Sequence, residues 1–322
     1  MNDNPDHPPR KSFWQDAVEN WQRLPNKGFF FGLLAAWLVL FQFWGNSVLG
    51  YVHTPSLFSW LYDIYNSPNS AEDSGHGDFI PFLVIILLWW KRRELLALPL
   101  QLWLPGALIF IFALAMHILA YLVQQPLFSV AALFIGVYGL TGLAWGPAWL
   151  RHSRYPFALF LFSIPLASHL NFILFPLRVL ATKLAAGTAH LIGINVLRQG
   201  TDLIDPSGSF RYEVAAECGG MRSLVAVILI ATVYAFGVFR SPALRTLLIL
   251  SAVPFAVLGN VVRLFTIIFA ASIGGQSAGN YVHLGGPFGI LSLLPYVPAV
   301  AGLFLLGRWM EKYEARSHAH EK

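Results

Sequence analysis

Cysteine occurs once in 322 residues, as Cys218, which excludes an internal disulfide and any thiolate-held zinc cluster. Charge is scarce: Asp, Glu, Lys and Arg make up 11% of the chain, against roughly 25% in soluble domains. No polar stretch exceeds about thirty residues, too short for an independent soluble core. No His-Glu-x-x-His pair or cluster of acids falls inside the apolar runs, so no metal or other cofactor is expected. No internal repeat is apparent, which argues against a transporter built from inverted repeats. Hydrocarbon, by contrast, is abundant: 56% of residues are hydrophobic and the mean hydropathy is +0.59. The composition is that of an all-α polytopic membrane protein. Its net charge of +5 reads as a record of topology rather than of nucleic-acid binding.

Eight runs approach the ~20 residues that cross a bilayer: 29–50, 78–90, 105–123, 127–149, 155–171, 220–239, 246–272 and 288–307. They give a polar cytoplasmic tail over 1–28, one integral-membrane domain over 29–307 and a charged cytoplasmic tail over 308–322. The first run is too long for a signal-peptide core of roughly 7–15 residues and is expected to remain as a helix. With the N-terminus inside, most of the 21 Lys and Arg residues fall on the inner side, as the positive-inside rule requires. Both termini are then inside.

Two segments stand apart from this scheme. In 174–194, Arg178, Thr182, Lys183, Ala186 and His190 recur at helical spacing, which predicts an amphipathic helix on the outer face. Residues 199–217 hold turn formers, Asp205-Pro206-Ser207-Gly208-Ser209, between short apolar runs. They predict a small hairpin or ordered outer loop that delivers the chain to Cys218.

Three polar islands carry the chemistry. Glu217-Cys218-Gly219-Gly220-Met221-Arg222-Ser223 opens the sixth run, Asn260-Val261-Val262-Arg263 lies in the seventh, and His283-Leu284-Gly285-Gly286-Pro287-Phe288 leads into the eighth. On this count Cys218 starts its span at the outer face. Arg263 lies ~13 Å beneath that face at ~1.5 Å per residue, and His283 is in the outer loop. A helix N-terminus or a nearby cation lowers the pKa of a thiol and makes it nucleophilic. Gly219 and Gly220 remove side-chain bulk beside the sulfur. Arg263 offers several donors to a thiolate or a developing oxyanion, and Asn260, three residues earlier, shares its helix face. His283 can give and take a proton. Arg222, four residues after Cys218, either supports the sulfur or snorkels to the interface. Singly, each has a plain reading: a membrane cysteine as a small hydrophobe, an arginine paired with an acid or carbonyl, a loop histidine with no task. Together at one membrane face they point to a cysteine enzyme. An intramembrane cysteine protease without ligation stays open, as does a non-enzymatic transporter or scaffold whose Arg263 binds an anionic headgroup.

The same residues carry a family resemblance. Ser74-Gly75-His76-Gly77-Asp78-Phe79-Ile80-Pro81 and Leu88-Trp89-Trp90-Lys91-Arg92-Arg93 resemble the early signature of the exosortase/archaeosortase family of membrane-embedded cysteine transpeptidases. Gly193-Ile194, Gly200 and the stretch from Val214 to Ser223 resemble its nucleophile region; Asn260-Val261-Val262-Arg263 and His283 with Phe288 resemble its later motifs. Gly219 stands where many relatives have Ser. The resemblance implies Cys218 as nucleophile, with Arg263 and His283 completing a triad, in the cell inner membrane with the site facing the periplasm. It implies partners as well: exported proteins ending in a motif, an apolar helix and a basic tail, with a lipid or surface polysaccharide among the acceptor classes.

Overall fold

The computed structural model describes residues 12–48, 54–66, 75–166, 169–213 and 221–320. The chain is an all-α polytopic membrane protein. Among the described residues five helices are long and apolar enough to cross a membrane, or six if one pair bent by 44° counts as a single span. Two shorter apolar helices, Gly75–Trp90 and Leu224–Val238, accompany them. The eight expected spans are therefore not reproduced one for one. The chain divides into two compact units, one holding 1–64 and 77–164, the other 65–76 and 165–322.

The first unit begins with α1 (Phe13–Arg23), opened by a reciprocal cap between Ser12 and Gln15. It continues through α2 (Lys27–Trp44), α3 (Leu57–Asn66), α4 (Ile80–Trp90) and α5 (Arg92–Leu96) to α6 (Pro105–Leu122), α7 (Pro126–Trp145) and α8 (Pro147–Ala158). Small residues let its central helices approach: a methyl group on Gly106 would sit 2.3 Å from the Leu143 backbone nitrogen. The faces turned outward are apolar, with Leu108, Ile111, Phe112 and Leu119 of α6 exposed while His117 and Ala120 are buried. His117 Nδ1 lies 3.1 Å from Ser129 Oγ. Asp16 of α1 is ion-paired with Arg92.

The expected fifth span, 155–171, is not one continuous helix among the described residues. α8 ends at Ala158, a 3-10 turn covers Leu159–Ser163, and Ile164 is extended. Pro165 disfavours helical geometry in the residue before it, and this breaks the run that hydropathy alone treats as continuous. The segment folds back on α7, with Phe160 stacked on Phe134 at 4.1 Å. A cavity of about 320 Å³ opens beside that stack, and its lining is almost wholly hydrocarbon.

The second unit holds α9 (Asn171–Leu191), three short strands, α10 (Met221–Val238), α11 (Pro242–His283) and α12 (Tyr296–His320). α9 splits the expected polar stripe: Lys183 and His190 are exposed, whereas Arg178, Thr182 and Ala186 turn inward. Arg178 and Thr182 are buried with Ala181, Ala185 and Ala189, whereas Leu180, Leu184 and Leu191 are exposed. Polar and small residues facing inward and leucines facing outward suit a helix in lipid. The expected hairpin is formed by β2 (Asp202–Ile204) and β3 (Arg211–Glu213), Leu203 opposite Tyr212, and β1 (Leu197–Gln199) extends it to a three-stranded antiparallel sheet. α10, α11 and α12 pack through Val227, Ala231, Ala235, Ala252, Ala256 and Ala299, all nearly inaccessible. α12 runs beside the first half of α11, where Gly302 abuts the Phe255 ring.

Candidate active site

α10 and α11 are joined by three residues, so they lie side by side and antiparallel. α10 is 18 residues long. Its first residue, Met221, therefore falls about level with Gly259, the eighteenth residue of α11, at ~1.5 Å per residue in each. Cys218 precedes Met221 by three positions. The start of α10 thus lines up with the Asn260–Arg263 island and not with the far end of α11.

Asn260 is 3% exposed, and its Oδ1 has no hydrogen-bond partner among the described residues. Arg263, one turn further on, is half-buried. No hydrogen bond or ion pair holds it among the described residues. An unpaired guanidinium inside a membrane helix is costly and marks a working group by default.

The chain past Arg263 departs from the expected loop. The helix is broken at Gly274 and Gly275, the latter at φ 68°, ψ −166°, a region that glycine alone enters without strain. The next eight residues then return along the helix. Eight residues of straight helix would separate Ala271 from Gly279 by ~12 Å, yet a methyl on Gly279 would lie 2.9 Å from Ala271 Cβ. His283 ends this return segment, and its ring is 6.3 Å from that of Tyr212. Gly279 leaves room for the Tyr212 hydroxyl, 2.0 Å from the position a methyl would take.

Gln276 fastens the return segment to the sheet. Its main-chain oxygen accepts from Tyr212 Oη at 2.9 Å and its Oε1 accepts from the Arg211 N–H at 2.8 Å. Arg211 in turn reaches Asp202 across the strands at 2.6 Å. Burial pushes the Tyr212 hydroxyl above its usual pKa, so it remains a neutral donor. β3 ends at Glu213, five positions before Cys218, so one strand reaches His283 on one side and leads into the cysteine segment on the other.

Of the residues singled out by sequence, Asn260, Arg263 and His283 are placed in this second unit. Cys218, Gly219 and Gly220 lie outside the described residues; Arg222 is in the first turn of α10, with its side chain outside the description. The profile of the transmembrane exosortase family matches residues 68–308. The chain belongs to the transmembrane exosortase family. That family is one of membrane protein-sorting transpeptidases of the cysteine type. No curated protein and no solved structure matches the chain.

In this exosortase, sequence reasoning missed Tyr212, Gln276 and the inward aim of Arg178. The Gly274-Gly275 pair was the available signal for the break, since two adjacent glycines interrupt a helix readily. A cavity of about 550 Å³ in the first unit is lined by Trp21, Phe30, Trp89, Trp145, Trp149 and Phe160 among others. Its lining holds neither thiol nor imidazole.

Proposed function

We propose that this exosortase is a cysteine transpeptidase that cleaves the C-terminal sorting signals of exported proteins at the outer face of the cell inner membrane. The observation that carries the reading is the unpaired Arg263 guanidinium, one turn beyond the level at which α10 begins. Cys218 stands immediately before that level in sequence, and Gly219 and Gly220 give a peptide room to approach it. The thiolate adds to the scissile carbonyl, and the oxyanion that develops is held by Arg263, with Asn260 beside it. The C–N bond breaks, His283 protonates the leaving amine, and the apolar helix departs with its basic tail. A thioester remains on Cys218. An acceptor amine or hydroxyl then loses its proton to His283 and attacks the thioester, and sulfur leaves as thiolate. A lipid or surface polysaccharide is the acceptor class in view.

The test is an exported protein of the same genome bearing a motif, an apolar helix and a basic cluster at its C-terminus, co-expressed with the exosortase. Cys218→Ala should abolish processing while the variant still accumulates in the membrane. Normal processing in that variant removes the nucleophile. A product joined to a larger acceptor supports transpeptidation, whereas a free new C-terminus reassigns the chain to proteolysis.

A further inference from the structure

We propose that Arg178 is a substrate-binding residue whose guanidinium receives a carboxylate of the peptide to be cleaved; the proposal rests on the exosortase reading above. Arg178 is 6% exposed, in the inward stripe of α9. Its side chain donates to Asn171 Oδ1 and lies 5.5 Å from the Phe175 ring. Nε is buried and has no partner among the described residues, and no carboxylate pairs with the side chain there. Guanidinium does not shed its proton. Among the described residues a buried positive charge is thus left against one neutral amide and one ring, an arrangement that is costly without a counter-charge.

A second orphan lies at the same depth. Leu174, one turn before Arg178, packs in the cluster of Leu224, Ala252 and Ala256. Ala181 and Ala185, on the turns after it, pack in the cluster of Val261 and Leu264. Arg178 is thereby bracketed by the same levels of α11 that bracket Asn260, whose Oδ1 is also buried without a partner. One orphan is a cationic donor and the other a neutral acceptor. A peptide with an acidic side chain complements both, its carboxylate to Arg178 by a charge-assisted bond and a main-chain N–H to Asn260. A lipid phosphate supplies no donor for Asn260, so the pair of orphans favours a peptide. The start of α10, next to Cys218, is level with them, which places the acidic residue close to the bond that is cut.

The probe is the intact exported precursor, trapped by full-length Cys218→Ala exosortase in membranes. Adding Arg178→Gln should reduce co-purified precursor roughly tenfold, the scale of one lost charge-assisted hydrogen bond. Neutralising one acidic residue of the sorting signal should cause the same drop with Arg178 present and no further drop with Arg178→Gln. Arg178→Lys should restore part of the capture, since the charge returns without the fork. Undiminished capture by Arg178→Gln overturns the proposal, as do losses that simply add, or efficient capture of a signal with no acidic residue. Additive losses would reassign Arg178 to the fold or to a lipid phosphate. Processing that survives Cys218→Ala sinks the transpeptidase reading. Processing that requires Cys218 but ignores Arg178 and the signal's charge sinks only this inference.

Discussion

The Tyr212 hydroxyl donates to the main-chain oxygen of Gln276 at 2.9 Å, and this bond ties the strand that leads into Cys218 to the segment that ends at His283. The sheet, small as it is, therefore anchors the segment that ends at His283.

Gly279 is the tightest point of that arrangement. A methyl there would lie 2.0 Å from Tyr212 Oη, so Gly279→Ala should displace Tyr212 and destabilise the second unit by about 1–3 kcal/mol, the usual cost of overpacking. Gly187→Ala on α9 is the control. No atom lies within 4 Å of the added methyl, and alanine should stabilise that helix by about 0.5–1 kcal/mol. Thermal melts of the purified protein in detergent compare the two. Equal melting temperatures would refute the packing account.

Arg263 should separate activity from stability. No hydrogen bond or ion pair holds it among the described residues and lysine keeps most of its apolar stem, so Arg263→Lys should melt as the unaltered protein does. Processing should nevertheless fall by about two orders of magnitude or more, the scale of a lost oxyanion donor, because one ammonium does not reproduce the planar fork. Full activity in Arg263→Lys would leave only a charge requirement.

Asp205 predicts a pH response in the β2–β3 turn. Its carboxylate accepts from Ser207 Oγ, from Ser209 Oγ at 2.7 Å and from the Ser209 N–H at 3.2 Å. The Ser207 hydroxyl is the largest cause, Ser209 the next, and together they hold its pKa below the ordinary 3.8. A carboxyl lowered on folding stabilises above its unfolded value, and that contribution is lost as pH falls through the folded one. The protection of the Ser207–Ser209 amides, their exchange relative to the intrinsic rate at each pH, should therefore fall below pH 3.8, and Asp205→Asn should erase that loss. A flat protection profile through that range counts against the turn chemistry.

Composition and hydropathy were enough to establish a helical membrane protein, because a spanning helix must bury its backbone polar groups internally and present hydrocarbon to lipid. The polar islands at Asn260, Arg263 and His283 were equally legible, since ionisable residues are rare in such runs and stand out by cost alone. Hydropathy has no sense of direction, however. It could not tell that Arg178 and Thr182 point inward, because a stripe of polar residues looks the same whether it meets water or a neighbouring helix. Nor did it register Pro165, which ends a run on backbone grounds, or the fold-back at Gly275, which depends on a φ that only tertiary packing selects. The level of the Met221 end of α10 beside Asn260, and the link from Tyr212 through Gln276 to His283, follow from which helices pair and where strands dock. Those are long-range contacts, and tertiary structure alone decided them.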